Sequence, residues 1–479
     1  MTKRIAVVGA GAVGKAITYQ FLTEGYNCTL FDPQGGASHS ASRVAGGMQG
    51  SYSEITEDNQ DSKQIKFCLD SHKVFRSWLK QIENDSGIEV YLHQGSIVFA
   101  NSIGGIGDKE AINVMIKKIQ EQGDTYENLM PSDIPFMKPS SHCEVEKAIY
   151  IPSEAGFDAE TLHESLFGAI KAYPKANVVA DSVTDITPVT KGECWAVTTT
   201  NGETHEFDSV IISAGAQAEK LLGESLYSEL ALPPMYGGKG VALLMENTLD
   251  INTVIRTPNR HGACGTHAVP RKNGLYVGAT NRPSLDPTNN GGATAGEINF
   301  LFDGIINQIN NQFANSALLG TLAAYRPFTA DGKPFIGQTN QPGLFLATGT
   351  GRTGILMAPL IAQIIVDEVM GKTPRQENVF TPIDRKGSYE TIKTATFEQL
   401  YTVAKAAVID VAGAYGSLPL DSSNTIAAYI AQMLHELVIS YANGNKVDGK
   451  IMYIFDNFPT EVAVPLLYST VVSKQLQKL

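Results

Sequence analysis

The most informative stretch of the sequence is Ile5-Ala6-Val7-Val8-Gly9-Ala10-Gly11-Ala12-Val13-Gly14. Its first four residues are apolar, as expected for a buried parallel strand, and its glycines follow the pattern Gly-x-Gly-x-x-Gly. A helical pattern runs from Lys15 to about Thr23, and a second strand, Cys28–Phe31, ends at Asp32. The sequence therefore predicts a Rossmann-type strand–helix–strand unit in a parallel, doubly wound sheet.

This arrangement suits a bound dinucleotide because each part has a physical role. Gly9 permits a tight turn, Gly11 lets a pyrophosphate approach the positive N-terminus of the helix, and Gly14 allows the helix to pack closely on the strand. The carboxylate of Asp32 can accept hydrogen bonds from ribose hydroxyls. A glycine-rich turn without a ligand is the alternative. The motif does not separate NAD from FAD, because both contain an ADP half.

Length and composition exclude several classes of protein. A chain of 479 residues exceeds what one core supports, so two or three domains are expected. Hydrophobic residues at 43% and charged residues at 18% exclude a disordered, collagenous or coiled-coil chain. With 37 basic and 49 acidic residues the net charge is −12, which disfavours nucleic-acid binding.

The cysteines and the apolar runs bear on location. The five cysteines are scattered and form no Cys-x-x-Cys pair, which is compatible with a reducing cytosol. The N-terminus carries no secretory signal, and the longest apolar stretch, residues 354–366, is too short for a membrane span. His39 and His142 lack metal-ligand spacing, so no metal is expected. These patterns predict a cytoplasmic protein.

The C-terminal residues 394–479 differ from the rest. They show helix-like apolar spacing but carry no motif that can be attached to chemistry. We call these residues the C-terminal extension. Apolar side chains such as Ile426, Ile430, Met433 and Leu437 could cover the catalytic part, pair two subunits or dock another protein. Packing on the enzyme itself or a contact between subunits is the expectation.

Six further segments follow the glycine motif. They are residues 36–48, 149–158, 209–215, 268–271 together with 275–280, 325–337 and 349–356. In content and order these segments resemble the FAD-dependent oxidoreductases of the D-amino-acid oxidase and glycine oxidase family. The resemblance covers roughly residues 4–375 and leaves the C-terminal extension outside.

The resemblance implies a cofactor and an architecture. FAD is expected, without a covalent link, because no cysteine occurs in residues 325–337 or 349–356. The implied α/β fold interleaves a Rossmann-type FAD-binding domain with a mixed β-sheet substrate domain, followed by the helical extension. The expected FAD-binding parts are residues 1–90, 146–230 and 326–380, and the expected substrate-domain parts are residues 91–145 and 231–325.

The resemblance also implies the cofactor-binding residues. A strand followed by the glycine turn at residues 348–354 and a helix would place backbone N–H groups beside a ligand, which in the family is the flavin pyrimidine edge. The residues expected near FAD are Gly9, Gly11, Ala12, Val13, Gly14, Asp32, Ser42, Gly46, Gly47, Met48, Val183, Gly351, Arg352, Thr353, Gly354, Ile355 and Leu356.

Three residues are expected to act on the substrate. Arg326 matches a family arginine that holds the substrate carboxylate, and Arg352 matches a second one nearby. Either could instead be a structural ion pair near Asp331 or at a helix end. His267 stands where glycine-oxidase-type members tend to have tyrosine, and Asn281 stands where an apolar residue is more usual. These polar replacements suggest a more polar or differently sized substrate than glycine; a surface histidine is the alternative.

The resulting hypothesis is flavin-dependent oxidation of the C–N bond of an amino acid or small carboxylate-bearing amine. Hydride transfer would give an imine that hydrolyses, with O2 or another acceptor reoxidising the flavin. Two alternatives stay open. The fold could modify a larger molecule, such as a nucleoside or a biosynthetic intermediate. A scaffold flavoprotein could use residues 394–479 to bind a protein partner or to form a homo-oligomer.

Overall fold

The computed structural model describes residues 3–37, 39–190, 194–259, 264–287, 292–387, 389–412, 420–445 and 447–468. Ser38, in the family-like segment 36–48, and the end of the extension lie outside these ranges, as does the side chain of Ile426. The strands are β1 (Ile5–Val8), β2 (Cys28–Phe31), β3 (Met48–Gln49), β4 (Leu92–Asn101), β5 (Glu127–Leu129), β6 (Val145–Phe157), β7 (Ala176–Val179), β8 (Val183–Thr190), β9 (Cys194–Thr199), β10 (Thr204–Phe207), β11 (Ser209–Ile212), β12 (Met235–Met245), β13 (Val254–Arg256), β14 (His267–Arg271), β15 (Gly274–Gly278), β16 (Arg282–Ser284), β17 (Leu318–Thr329), β18 (Phe335–Gln338) and β19 (Leu344–Thr348).

The helices cover the sheets and form the extension. They are α1 (Ala12–Thr23), α2 (Lys63–Ser86), α3 (Gly105–Glu121), α4 (Ala159–Lys171), α5 (Ala218–Glu229), α6 (Ala295–Asp303), α7 (Gly354–Met370), α8 (Phe397–Ala412), α9 (Leu420–Ala442), α10 (Gly449–Asn457) and α11 (Thr460–Leu467). None of the helices in the described ranges is long and apolar enough to cross a membrane.

Six strands form the sheet that the glycine motif predicts. Their order is β18-β19-β11-β1-β2-β7, and every pair is parallel except β18 with β19. The central strand β1 is buried along its whole length, which explains its apolar sequence. Helices α1, α2, α4 and α7 share one apolar core on one face. On the other face lies the small antiparallel sheet β10-β9-β8, which contributes Trp195 to a second core.

Helix α1 begins earlier than the sequence pattern indicates. It starts at Ala12, inside the glycine motif, rather than at Lys15, and Gly11 is its N-cap residue. The first backbone N–H groups of α1 therefore lie directly at the glycine turn. Such groups have no acceptor within the helix, and those that no side chain accepts from can bind an anion.

A larger mixed sheet lies beside the nucleotide-type sheet. Its order is β16-β12-β15-β14-β13-β4-β6-β3, with β17 paired to β12 and β5 paired to β6. The long antiparallel pair of β12 and β17 places Arg326 opposite Gly238 and Phe328 opposite Tyr236. The α/β fold with a mixed second sheet is thus confirmed, while the domain ranges given above stay a prediction.

The extension packs on the rest of the protein. Helices α8 to α11 enclose an apolar core to which Ile430 contributes, with Leu437 packed against its side. Ala330 lies in the same core, and Tyr236 and Leu285 pack against it, so the core joins the extension to the mixed sheet. Ile430 and Leu437 of the predicted apolar stripe are thus covered by the chain's own residues.

Candidate active site

The glycine bend between β1 and α1 is closed to side chains at two of its three glycines. Gly9 has a φ of +105°, and a Cβ there would lie 2.6 Å from the carbonyl oxygen of Ser213. A Cβ on Gly14 would overlap the carbonyl oxygen of Gly9. At Gly11, in contrast, a Cβ would make only an ordinary contact, 3.5 Å from Ser42 Oγ. The packing of the protein does not require glycine at position 11, so that glycine fits the close approach of a pyrophosphate.

Ser42 joins this bend to a buried chain of polar groups. Its Oγ accepts a hydrogen bond from the backbone N–H of Ala12 at 3.0 Å and lies 3.0 Å from His163 Nε2. His163 Nδ1 lies 3.0 Å from the ammonium of Lys15, which is buried. Burial, together with the charge of Arg43, lowers the pKa of Lys15 to about 8. Lys15 and His163 belong to no motif, so neither is recognisable as a site residue from the sequence.

Asp32 and Val183 lie on the nucleotide side of the sheet. The Asp32 carboxylate is buried at the end of β2, where its Oδ1 accepts hydrogen bonds from the backbone N–H groups of Gln34 and Gly36. The bend is next to it, since Gly9 N–H donates to the carbonyl oxygen of Phe31. Val183 begins β8 and packs against the apolar core that contains Val8 and Phe31. These positions fit the ribose end of a dinucleotide on the carboxyl ends of β1 and β2.

A separate pocket is lined by the predicted site residues that lie away from the glycine bend. About 630 Å³ of space lies between its lining residues, part of it open to solvent. The predicted residues that line it are Gly46, Gly47, Met48, His267, Arg326, Arg352, Thr353, Ile355 and Leu356. Gly9, Gly11, Ala12, Val13, Gly14, Asp32, Ser42, Val183, Gly351 and Gly354 do not line it.

The turn at residues 348–354 is held against β17. The backbone N–H of Gly351 donates to the carbonyl oxygen of Pro327 at 2.7 Å. A Cβ on Gly351 would lie 2.7 Å from the ring of Phe328, so the turn and this ring are in close contact. Helix α7 begins at Gly354 and directs its first turn toward the pocket through Thr353, Ile355 and Leu356. The elongated arrangement of bend, loop and pocket fits FAD.

The two predicted substrate arginines have different surroundings. Arg352 forms an ion pair with Glu54, with Nη2 and Oε2 3.1 Å apart. Glu54 also pairs with the buried Arg256 at 2.9 Å, and Asn259 donates to it at 2.9 Å. Burial alone would raise the pKa of Glu54, but the charges of Arg352 and Arg256 outweigh this and lower it to about 2. The carboxylate is thus ionised and balances charge on one side of the pocket.

Arg326 has no acidic partner among the described residues. Its Nη1 donates to the carbonyl oxygen of Thr280 at 2.9 Å and to Oδ1 of Asn281 at 3.3 Å. Within the described ranges, Nη2 and Nε of Arg326 meet no acceptor. Asp331, the acid suggested as a structural partner, instead pairs with Arg385 at 2.7 Å. Arg326 therefore keeps the edge of its guanidinium that two parallel hydrogen bonds require.

His267 is a pocket residue and not a surface residue. It is 3% exposed, and its ring stacks on Tyr276 with 5.8 Å between centroids and 19° between planes. Burial, together with the charges of Arg256 and Arg326, lowers the pKa of His267 to about 3. The imidazole is therefore neutral near pH 7 and can offer a hydrogen bond without adding charge.

The pocket also contains residues that were not predicted to belong to it. Ala45 and Tyr276 lie within the family-like segments 36–48 and 275–280. Gly50, Glu54 and Cys264 lie outside all such segments, as do Arg256 and Asn259 behind Glu54, and no spacing rule connects these positions. No cluster of three or more His, Cys, Asp or Glu side chains suited to a metal occurs in the part of the chain that the structure describes.

Comparison with known proteins agrees with this geometry. Glycine oxidase of Geobacillus kaustophilus (strain HTA426) is 26% identical over 381 residues, which cover 78% of this chain and 94% of that protein. Glycine oxidase of Bacillus subtilis (strain 168) is 27% identical over 398 residues, which cover 79% and 96%. The crystal structure of glycine oxidase from Geobacillus kaustophilus superposes with a TM-score of 0.68 over 81% of this chain and 100% of that one, at 24% identity. This last likeness concerns the fold.

The family assignment rests on the length of the matched segment. Residues 4–368 match the family described as DAO, FAD dependent oxidoreductase. That segment holds the glycine bend, the pocket and both arginines, and it ends before the C-terminal extension. The predicted resemblance is thereby confirmed. The chain belongs to the DAO family of FAD-dependent oxidoreductases and is an FAD-dependent enzyme.

Proposed function

We propose that this enzyme oxidises the C–N bond of an amino acid or another small amine that carries a carboxylate. The observation that supports this is Arg326, which lines the pocket and keeps Nη2 and Nε without an acceptor among the described residues. Those two N–H groups match the two oxygens of a carboxylate. The relatives named glycine oxidase, at 26% and 27% identity, support an amino-acid substrate.

Orientation is the main task of the protein in this proposal. When bound, FAD would supply the acceptor for a hydride from the carbon beside the nitrogen of the neutral amine; the iminium ion left behind would lose its proton as an imine or react with water to give a carbonyl compound and an amine or ammonia. Arg326 fixes the carboxylate and with it the direction of the Cα–H bond. Ile355 and Leu356 contribute apolar walls that exclude water. Nδ1 of His267 lies 3.3 Å from the carbonyl oxygen of Gly265 and donates to it, so Nε2 of the neutral ring can accept a hydrogen bond from a polar substrate group.

Arg352 has a different role in this proposal. Its guanidinium is already engaged in an ion pair with Glu54, a carboxylate that it shares with the buried Arg256. The ion pair instead ties the turn at residues 348–354 to the loop that carries Glu54. Arg326 is therefore the proposed carboxylate anchor, and Arg352 the residue that holds the pocket wall.

Two further assignments stay predictions. A cytoplasmic location is suggested by the five cysteines, none of which forms a disulfide. A homo-oligomer or a protein partner through the extension is open, and the mass in solution with and without residues 394–479 would distinguish these states from a monomer.

The test of the substrate class uses the bound flavin as a reporter. The holoenzyme is mixed without oxygen with amino acids and with the corresponding amines that lack a carboxylate, and loss of the visible flavin absorption is followed. We expect bleaching with members of the first set. Bleaching that is equally fast with amines lacking a carboxylate would contradict the proposal.

The matching variant is Arg326→Lys. It keeps the positive charge but removes the two-pronged edge, so two charge-assisted hydrogen bonds become at most one. With such a bond worth about 1.5–3 kcal/mol, kcat/KM for carboxylate substrates should fall about 100-fold. Arg282→Lys is the control, because that side chain is 43% exposed and lies 3.8 Å from Glu297. If kcat/KM for carboxylate substrates were unchanged in Arg326→Lys, Arg326 would not be the carboxylate anchor.

A further inference from the structure

The C-terminal extension makes an aromatic contact with the mixed sheet close to the active site. Phe458, at the end of α10, is fully buried. Its backbone is fixed on both sides, since its N–H donates to Ile454 and its carbonyl oxygen accepts from the N–H of Ile392, both at 3.0 Å. Its ring meets the ring of Tyr236 edge to face, with centroids 6.0 Å apart and planes at 81°. The extension thereby touches β12.

Tyr236 also contacts β17, through the same ring. It lies directly opposite Phe328 in the antiparallel pair, and the two rings stack with centroids 5.3 Å apart and planes at 14°. Burial raises the pKa of the Tyr236 hydroxyl, which is therefore neutral. The contact on both sides is made by the ring and is a packing contact.

Phe328 contacts the active-site turn. Its ring is in close contact with Gly351. The N–H of Gly351 donates to the carbonyl oxygen of Pro327, the residue before Phe328. Arg326 and Phe328 are two residues apart on β17, so both project from the same face of the sheet. The ring that supports the turn therefore stands next to the proposed carboxylate anchor.

A second contact of the extension reaches the same strands. Helix α11 packs against β16, which is paired with β12 at Gly237 and Gly238. The residue that precedes β16 is Asn281, whose Oδ1 accepts a hydrogen bond from Arg326. The extension thus contacts β12 through Phe458 and β16 through α11.

We propose that the C-terminal extension is a positioning part of the active site, acting through the ring contacts Phe458–Tyr236–Phe328 on the turn at residues 348–354. The extension lies beyond residue 368, where the family match ends, so this support belongs to the present chain and not to the shared domain. Phe458 is a positioning residue: it touches neither the pocket nor the glycine bend. Its effect is to fix where the turn meets the flavin.

The experiment compares two phenylalanines of the same core. Phe458 and Phe455 are both fully buried, but the described ring partner of Phe455 is Tyr441, within the extension. Phe458→Leu and Phe455→Leu remove the same volume from the extension, so a loss of folding should appear in both. We expect the Kd of FAD to rise about fivefold in Phe458→Leu, as for the loss of one aromatic contact, and to stay within about twofold in Phe455→Leu. The visible spectrum of bound FAD should shift in the first variant only.

Substitutions at Tyr236 separate the ring from its hydroxyl. Tyr236→Phe keeps the stack and should bind FAD as the unaltered protein does, while Tyr236→Leu should reproduce Phe458→Leu. Equal changes in Phe458→Leu and Phe455→Leu, or no change in either, would overturn the proposal and leave the extension a purely stabilising part. These readouts use bound FAD alone, so they do not depend on which amine is oxidised.

Discussion

His267 provides a residue-scale prediction about pH. Its pKa is about 3 in the folded protein and 6.5 for an ordinary histidine. Between these values the unfolded chain binds the proton more strongly, so stability is fully present above pH 6.5 and is lost as the pH falls toward 3. At pH 5 the loss amounts to about 2 kcal/mol.

The substitution His267→Gln removes this titration. We expect the free energy of unfolding of the variant to decrease less between pH 7.5 and pH 5 than that of the unaltered protein, by about 2 kcal/mol. Denaturant unfolding at the two pH values measures this difference. His142→Gln serves as a control, because that histidine is exposed. A His267 variant with the same pH dependence as the unaltered protein would mean that the imidazole is not buried in its neutral form.

At the scale of single residues, some site residues can be predicted from the sequence and others cannot. Gly9 and Gly14 could be predicted because their steric requirement arises within one short turn. Glu54 could not, because its partner Arg256 is 202 residues away and Arg352 lies further still. For the same reason the sequence does not show that Glu54 pairs with both Arg352 and Arg256, while Arg326 meets no acid among the described residues. Two arginines that look alike in the sequence therefore differ in electrostatics.

At the scale of elements, the β1–α1 unit separates folding from cofactor binding. A Cβ at position 14 collides with the backbone of Gly9, whereas one at position 11 finds ordinary space near Ser42. Gly14→Ala should therefore lower the free energy of unfolding by about 1–3 kcal/mol or more, as overpacking does. Gly11→Ala should change the stability of the protein without FAD by less than about 1 kcal/mol, because the restriction of the unfolded chain by alanine is offset by its poorer fit at the N-cap.

The substitution at position 11 should affect FAD binding and not folding. We expect Gly11→Ala to raise the Kd of FAD at least tenfold, since its methyl group occupies the approach of the pyrophosphate to the N-terminus of α1. Denaturant unfolding without FAD and titration with FAD measure the two effects separately. If Gly11→Ala bound FAD normally, the pyrophosphate would not lie at this bend.

Elements differ in how far the sequence predicts them. Helix α7, which the sequence analysis places after the glycine turn at residues 348–354, spans Gly354–Met370, and its apolar pattern and its end at Gly371 are local signals. The mixed sheet was expected only through family resemblance. Its strand β12 pairs with β15, β16 and β17, and no short-range pattern specifies such partners.

At the scale of the whole molecule, the extension is joined to the catalytic part by buried polar and apolar contacts. Arg385 leads into it and is held by Asp331 at 2.7 Å and by the carbonyl oxygen of Pro334 at 2.6 Å. The hydroxyl of Tyr389 donates to the carbonyl oxygen of Asn457 at 2.6 Å. Because Ala330, next to Asp331, lies in the core of the extension, the two parts share one apolar interior.

A shared interior implies that FAD stabilises the extension although the proposed FAD site lies elsewhere. A ligand that binds only the folded state raises the free energy of every opening that destroys its site, by about 2.7 kcal/mol at a concentration 100 times its Kd. If α9 opens only with the catalytic part, its slowest amides, near Leu434, should gain about the same hydrogen-exchange protection from FAD as those of β1. Exchange followed by mass spectrometry with and without FAD measures both peptides together. Protection of β1 with no change in α9 would show that the extension opens by itself, and its contact through Phe458 would then be too weak to position the active site.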